Sequence, residues 1–193
     1  MASDDGAEGA IRRVLVALER AGVPYMLTGS FASSFHGAPR TTQDVDLVIA
    51  PTLGSLQRLI SEFPEDRYYV SREAALQAYG SESLFNVIDL DSGWKIDFIV
   101  RKSRPFSVEE FARRREAEVL GTKLYIASAE DVILSKLEWA KMAESERQIT
   151  DAAGIVRTQG TDIDVAYVER WVAVLGLQSE WKRASAEAGL TSR

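Results

Sequence analysis

Three aspartates in this sequence are spaced in a way that points to metal-dependent chemistry. Asp44 and Asp46 are separated by one residue, and Asp97 is the only acid in the mostly apolar segment 95–100. Both stretches read as strands, so the period of two places the carboxylates of Asp44 and Asp46 on one face. Like charges this close favour a divalent cation, and a lone acid on an apolar strand also requires a partner. We expect Asp44, Asp46 and Asp97 to share one metal site.

A Gly-Ser pair precedes these acids. Gly29 permits a tight turn after the apolar run 24–28, and Ser30 then falls at a helix N-terminus, where free N–H groups and the helix dipole favour a bound phosphate. The structural alternative for Gly29-Ser30 is an ordinary turn with an N-cap. The alternative for Asp44 and Asp46 is a pair of solvated acids at a strand end. The combination of Gly-Ser with Asp-x-Asp favours the phosphate-binding interpretation.

A mixed α/β fold is needed to position these residues. Strands are predicted at 24–28, 44–50, 68–70, 84–90, 94–100 and 119–126, and helices at 7–21, 31–35, 53–63, 71–79 and 107–115. Ser107-Val-Glu-Glu110 fits a capping box for the last of these helices. From Ser128 onward the pattern is helical, with breaks near Ser145, Gly160 and Gly176 and with Trp139, Trp171 and Trp181 as large packing residues. We predict an α/β (α+β) core over residues 1–127 and a C-terminal helical region, 128–193, packed on that core.

Composition restricts the metal to oxygen ligands. The chain has no cysteine and a single histidine, His36, so thiolate sites and a histidine-built zinc site are excluded. Carboxylate ligands suit Mg²⁺ or Mn²⁺. His36 is also a candidate general base, although a histidine before Gly37 is typical of a helix end.

The net charge of −6 argues against sequence-blind binding of nucleic acid. One set of basic residues has two interpretations, a local patch that binds nucleic acid or a solvated helix face. The set contains Arg101, Lys102, Arg104 and Arg113 to Arg115. Apolar stretches are far shorter than a membrane span, and the first residues are acidic rather than a basic signal-peptide region. A cytoplasmic location without membrane association is therefore expected.

Gly29-Ser30, Asp44-x-Asp46 and Asp97 together resemble the three-part signature of the DNA polymerase β-type nucleotidyltransferase superfamily. The stretch from Gly29 through His36-Gly37, Arg40, Thr42 and the two acids is similar to a branch of minimal bacterial nucleotidyltransferases that includes the AbiEii-type abortive-infection toxins. The specific motifs cover about residues 27–100.

The resemblance implies a reaction. Asp44 and Asp46 bridge two magnesium ions, and Asp97 binds the catalytic ion and helps to deprotonate the attacking hydroxyl. The β- and γ-phosphates of a nucleoside triphosphate are held by Gly29 and Ser30. Arg40 and Thr42 belong to the nucleotide-binding set, and Arg101 is an alternative phosphate partner. A nucleoside monophosphate then passes to a hydroxyl of RNA, protein or a small molecule.

The helical tail adds a weaker match. Lys136 and Asp151 stand where this branch tends to carry a lysine and an aspartate, whereas Gly154 replaces the branch's second acidic position. The two residues are expected to meet if their helices pair across the turn near Ser145, and to act in catalysis rather than in folding. On that interpretation, alanine at either position abolishes activity and changes stability by about 1 kcal/mol or less.

Two other functions stay open. A non-catalytic antitoxin or regulatory partner of a toxin–antitoxin pair retains the fold and is the main alternative, although the presence of all three acids favours catalysis. A glycosyltransferase also uses Asp-x-Asp, but the upstream Gly-Ser and the downstream acid disfavour it. A cognate toxin or antitoxin protein is a further expected partner.

Overall fold

The computed structural model describes residues 6–189. The acidic residues 1–5, on which the signal-peptide expectation rests, lie outside the described residues. Contacts between Cα atoms divide the chain into two compact units. The sheet unit contains residues 6–28 and Thr41–Ile126, and the helical unit contains Gly29–Arg40 and 127–189. The segment Gly29–Arg40 lies within the core predicted over residues 1–127, but it groups with the C-terminal helices.

Regular elements cover most of the described chain. The strands are β1 Tyr25–Leu27, β2 Asp44–Ile49, β3 Tyr68–Val70, β4 Leu84–Asp89, β5 Lys95–Val100, β6 Arg115–Val119 and β7 Thr122–Ile126. The helices are α1 Ala7–Ala21, α2 Gly29–His36, α3 Leu53–Ser61, α4 Arg72–Ser81, α5 Pro105–Ala112, α6 Ala129–Ala143, α7 Glu146–Gln159, α8 Val165–Leu175 and α9 Gln178–Ala188. A short 3₁₀ turn, Gly160–Asp162, joins α7 to the segment before α8.

The sheet unit is built on one mixed sheet in the order β3-β4-β5-β2-β1-β7-β6. The pairs β2–β5 and β1–β7 are parallel, and the other neighbours are antiparallel. Helix α1 contributes Ile11, Val14 and Leu18 to the core, because their helical spacing puts all three on one buried face. The mixed α/β architecture expected from the sequence is confirmed.

Helices α2 and α6 to α9 form the helical unit. Helix α6 begins after Ser128, whose hydroxyl accepts the Asp131 N–H at 3.2 Å, as the sequence predicts. Asp131 is fully buried and also accepts the Tyr167 hydroxyl at 2.6 Å, so this cap ties α6 to α8. Trp171 is buried, but Trp139 is 45% exposed, so the prediction that Trp139 is a core residue is wrong.

The capping box predicted at Ser107 is also wrong. Helix α5 begins at Pro105, because proline has a suitable φ and lacks an N–H that the first helical position leaves unpaired. The Ser107 hydroxyl accepts a hydrogen bond from Arg104 Nε at 3.0 Å instead. The helix ends at Ala112, and Arg115 begins β6 rather than closing the helix. Leu120 and Gly121, both at positive φ, form the turn of the β6–β7 hairpin.

None of the helices within residues 6–189 combines the length and the apolar character that crossing a bilayer requires.

Candidate functional site

The three aspartates lie on adjacent parallel strands of the sheet unit. Strand β2 pairs in parallel with β5, and the register sets Asp46 opposite Asp97 and Asp44 opposite Lys95. Register partners in neighbouring strands point to the same side of a sheet, so these four residues share one face. We call them the carboxylate face. Their apolar neighbours Val45 and Leu47 point to the other side and are almost fully buried, as the alternation predicts.

Lys95 supplies a cation to the carboxylate face. Its Nζ donates a hydrogen bond to Asp97 Oδ2 at 2.8 Å, across the two-residue spacing of the strand. This hydrogen bond is the main cause of a raised Lys95 pKa, and partial burial opposes it. The negative charges of Asp44 and Asp46 raise the same pKa further. The ammonium is therefore within electrostatic range of all three carboxylates.

Asp97 has one carboxylate oxygen that is available to a divalent cation. Its side chain is 14% exposed, and its Oδ1 atom is buried without a hydrogen-bond partner. A buried unpaired carboxylate oxygen is costly unless a ligand occupies it. Three carboxylates on one face supply the oxygen donors that Mg²⁺ and Mn²⁺ prefer, so the chemistry of the donors suits such an ion.

The carboxylate face is not arranged as a closed metal cage. Across residues 6–189, no three histidine, aspartate or glutamate side chains are grouped so that they could hold a metal ion as they stand. The Lys95 ammonium already occupies Asp97 Oδ2. Shared metal ligation by Asp44, Asp46 and Asp97 therefore stays a prediction.

Thr42 fixes the start of β2. Its hydroxyl accepts the Asp44 N–H at 3.2 Å and lies 3.4 Å from the Asp44 carbonyl oxygen. The Thr42 side chain thus holds the backbone that presents Asp44. Its predicted contact with a nucleotide is untested.

The other predicted site residues belong to the helical unit. Gly29 has φ +62°, a left-handed conformation that an L side chain adopts only with strain, and it is the first residue of α2. Ser30 follows and is buried, and its Oγ accepts a short hydrogen bond from Arg40 Nη2. The predicted turn and helix N-terminus are confirmed, and Arg40 lies beside them.

Lys136 and Asp151 meet in the helical unit. Helices α6 and α7 pack together across the turn at Glu144 and Ser145, and Lys136 Nζ lies 2.8 Å from Asp151 Oδ2. Arg40 Nε lies 3.4 Å from the same oxygen. The side chains of Lys136 and Asp151 are only 6% and 10% exposed. The expected meeting of these residues is confirmed, and their burial favours a larger effect on stability than the sequence predicted. We call Ser30, Arg40, Lys136 and Asp151 the charged cluster.

His36 has a structural environment. Its ring is 1% exposed, and Nε2 lies 2.8 Å from the Ala127 carbonyl oxygen. Gln159 Nε2 donates to the His36 carbonyl oxygen at 2.7 Å. These contacts support the helix-end interpretation of His36 over the general-base interpretation.

Arginines of the predicted basic patch lie against aromatic rings. Arg101 is 5.7 Å and Arg114 is 4.2 Å from the centroid of the Phe111 ring, and Arg104 is 5.4 Å from that of Phe106. Cation–π packing of this kind stabilises the hairpin and helix region of the sheet unit. The role of Arg101 as a phosphate partner is untested.

Lys95 of the carboxylate face and its neighbour Asn86 were not predicted from sequence. Lys95 lies in the predicted strand 94–100, and its ammonium donates a hydrogen bond to Asp97. Asn86 of β4 is the register partner of Asp97 on its other side. The two-residue spacing of Lys95 and Asp97 was a visible signal, since i and i+2 share a strand face. Asn86 had none, because its position depends on a strand pairing.

Solved structures with the same fold are nucleotidyltransferases. The chain is similar to ANT(2″)-Ia, solved in complex with adenylyl-2″-tobramycin, with TM-score 0.51, 16% identity, and coverage of 94% of this chain and 96% of that one. It is similar to the lincosamide antibiotic adenylyltransferase LnuA, solved with lincomycin bound, with TM-score 0.53, 14% identity and coverage of 77% and 96%. A third similar structure is an antigenic nucleotidyltransferase-like protein from Paracoccidioides brasiliensis, with TM-score 0.50, 20% identity and coverage of 76% and 72%.

No family model matches the sequence, and no curated protein matches it significantly. The structural similarity at these identities concerns the fold. The nucleotidyltransferase-like fold that the sequence motifs predict is thereby confirmed.

Proposed function

We propose that this protein is a magnesium-dependent nucleotidyltransferase that moves a nucleoside monophosphate from a nucleoside triphosphate to a hydroxyl group. The observation that carries the proposal is the in-register placement of Asp46 and Asp97 on parallel strands, with Asp97 Oδ1 buried and unpaired. A buried carboxylate oxygen rarely lacks a hydrogen-bond partner when its role is only structural. A site that binds a metal or accepts a proton needs an available oxygen of this kind.

The carboxylate face performs the chemistry in this proposal. Asp44, Asp46 and Asp97 would hold magnesium, and the bound ion would supply positive charge to offset the charge that develops on the phosphate oxygens. Asp97 accepts the proton of the acceptor hydroxyl. The hydroxyl oxygen forms a bond to the α-phosphorus while the bond from that phosphorus to the bridging oxygen breaks. Pyrophosphate leaves with the electron pair.

The charged cluster of the helical unit has the chemistry of a phosphate-binding site. Ser30 is at the N-terminus of an eight-residue helix, where the positive end of the helix dipole favours an anion. Arg40 and Lys136 bring two cations against the single acid Asp151, so positive charge is in excess among these three side chains. We therefore assign phosphate binding to Gly29, Ser30, Arg40 and Lys136. Asp151 is assigned to orienting the two cations, and Thr42 to positioning Asp44.

The acceptor is proposed as a class: a hydroxyl on RNA, on a protein or on a small molecule. The resemblance to the AbiEii-type branch supports a toxin–antitoxin context with a cognate partner protein. The antibiotic ligands of ANT(2″)-Ia and LnuA support including hydroxyl-bearing small molecules among the acceptors tested.

A non-catalytic protein of the same fold is the second candidate. Lys95 already neutralises part of Asp97, which favours a face that needs no metal. Binding of a triphosphate with magnesium distinguishes the two functions, since the non-catalytic alternative does not require it.

The test is thermal unfolding of the full chain with each nucleoside triphosphate and Mg²⁺ or Mn²⁺. A ligand at a hundred times its dissociation constant stabilises the folded state by about 2.7 kcal/mol, which raises the midpoint by several degrees. The stabilisation is expected to be lost in Asp44→Ala. Glu118→Ala, which removes an exposed acid from β6, is the matched control and should behave as the wild type. If no triphosphate raises the wild-type midpoint, the non-catalytic alternative is favoured.

A further inference from the structure

Lys95 has a position that a surface lysine does not need to take. A half-exposed lysine can extend its ammonium into water at little cost. Lys95 instead folds back along β5, and its Nζ lies 2.8 Å from Asp97 Oδ2. The side chain of Lys95 is 39% exposed and that of Asp97 is 14% exposed, so the ammonium reaches from solvent toward the more buried acid.

The strand register places this ammonium among all the acids of the carboxylate face. Asp44 is the register partner of Lys95, and Asp46 is the partner of Asp97. On this face, β2 contributes the negative charges of Asp44 and Asp46. Strand β5 contributes the positive charge of Lys95 and the negative charge of Asp97. Of the residues that β2 and β5 contribute to this face, Lys95 alone is cationic.

The Lys95–Asp97 pair leaves Asp97 only partly satisfied. Lys95 bonds to Oδ2 of Asp97, and Oδ1 is buried without a hydrogen-bond partner. A divalent ion could contact Oδ1, but the ammonium 2.8 Å from Oδ2 would repel it and already neutralises part of the carboxylate charge. The ammonium and a divalent ion therefore compete electrostatically for the same acids.

We propose that Lys95 is the resident counter-ion of the carboxylate face, and that its positive charge competes with a divalent metal for these carboxylates. This inference rests on the proposed function, because it assigns a regulatory residue to the same metal site. Lys95 stabilises the metal-free protein by balancing charge, and it weakens metal binding by repelling the ion. Its replacement by a neutral side chain should move both properties in opposite directions.

The experiment measures Mn²⁺ binding to the full chain by titration calorimetry, with thermal unfolding of the metal-free protein in parallel. Lys95→Met keeps the length and apolar stem of the side chain but removes the charge. It should bind Mn²⁺ roughly twofold to fivefold more tightly than the wild type, the range expected from removing a partly exposed ion pair. Without metal it should unfold at a lower temperature. Lys123→Met, at an exposed lysine on β7, should leave both properties unchanged.

The outcomes separate this inference from the proposed function. Equal or weaker Mn²⁺ binding in Lys95→Met, with measurable binding to the wild type, overturns the counter-ion role and leaves the metal site intact. A lack of Mn²⁺ binding in both proteins overturns the metal site and the counter-ion role together. Lys95→Gln provides a second neutral variant if Lys95→Met does not fold, and Lys95→Arg, which retains the charge, should bind Mn²⁺ as the wild type does.

Discussion

Asp151 is held between two cations of the helical unit. Its Oδ2 lies 2.8 Å from Lys136 Nζ and 3.4 Å from Arg40 Nε, and all three side chains are largely buried. Removing one member of a buried ion pair leaves an uncompensated charge, which costs more than the intact pair contributes. The three positions are therefore unequal, because only Asp151 balances both cations.

We expect Asp151→Asn to be strongly destabilising, by about 3 kcal/mol or more, since it leaves Lys136 and Arg40 without their acid. Lys136→Met should cost less, because Asp151 retains Arg40 and methionine fills the buried volume. Urea unfolding followed by circular dichroism measures both. Equal losses of stability in the two variants, or losses below about 1 kcal/mol in both, would show that the pair has the surface character that the sequence suggested.

The contacts of single residues were only partly predictable. The acids could be named because Asp-x-Asp and an acid on an apolar strand are local patterns. The burial of Lys136 could not be predicted, because a lysine on a helix is usually exposed and its burial depends on how α6 packs. The Lys95–Asp97 bond depends on a side-chain conformation that spacing permits but does not require.

At the scale of elements, the end of α2 packs closely against α7. A Cβ atom on Gly37 would lie 2.9 Å from the Ile155 nitrogen, 3.0 Å from the Ser33 carbonyl oxygen and 3.1 Å from the Gly154 carbonyl carbon. All three are backbone atoms that cannot move independently. A Cβ on Gly154 would instead meet only Ala38, at 3.8 Å, an ordinary contact.

We expect Gly37→Ala to destabilise the protein by about 1 to 3 kcal/mol, the usual cost of overpacking. Gly154→Ala is the matched control and should be neutral or stabilising by up to about 1 kcal/mol, because alanine is the better helix former. Chemical denaturation of the two variants gives the comparison. A Gly37→Ala protein as stable as Gly154→Ala would contradict the close approach of α2 and α7.

A buried ion pair joins α1 to the end of β4. Arg13 Nη2 donates to Asp89 Oδ2 at 2.6 Å, and Asp89 Oδ1 accepts the N–H groups of Asp91 and Ser92 at 3.1 and 3.3 Å. Burial raises the Asp89 pKa, but the hydrogen bonds from Arg13 and the backbone outweigh it, and the net pKa is below 3.8. The unfolded chain therefore binds a proton more readily than the folded one around this pH, and stability falls with acidification.

This sign sets a pH-dependent prediction. The contribution of Asp89 is fully present above about pH 3.8 and is lost as the pH falls through the lower folded pKa. Asp89→Asn should cost about 3 kcal/mol near pH 7, and the difference from the wild type should shrink near pH 3. Urea unfolding at both pH values measures it. A difference that stays constant or grows on acidification would contradict the lowered pKa of Asp89.

Elements with strong local signals were predicted well. Strands β2 and β5, helix α1, and the start of the helical region at Ser128 agree with their patterns within a residue or two. Prediction failed where two local signals competed. At Pro105 and Ser107 both residues favour a helix start, and proline prevailed because its fixed φ suits the first position.

At the scale of the whole molecule, the arrangement of the sheet could not be deduced from sequence. Asp46 and Asp97 are fifty-one positions apart, and the parallel β2–β5 pairing that sets them side by side is a long-range contact. Nothing local in either strand specifies its neighbour. The assignment of Gly29–Arg40 to the helical unit was likewise missed, because eighty-six residues, 41–126, separate this segment from the rest of that unit.

The net charge of −6 bears on the acceptor at this scale. An acidic protein that binds a polyanionic RNA must do so through a local patch, and such binding weakens steeply with salt. Transfer to a neutral small molecule should depend weakly on salt. The salt dependence of the reaction therefore distinguishes these acceptor classes once transfer is measured.

The central claim is transfer of the α-phosphoryl unit of a nucleoside triphosphate. The most direct measurement incubates the protein with Mg²⁺, a mixture of cellular RNA, protein and small molecules, and triphosphates labelled on either the α- or the γ-phosphate. The account predicts that α-label appears on an acceptor, that γ-label appears only in released pyrophosphate, and that Asp97→Asn abolishes both. Transfer of γ-label to an acceptor, or no transfer of α-label from any triphosphate, would contradict it.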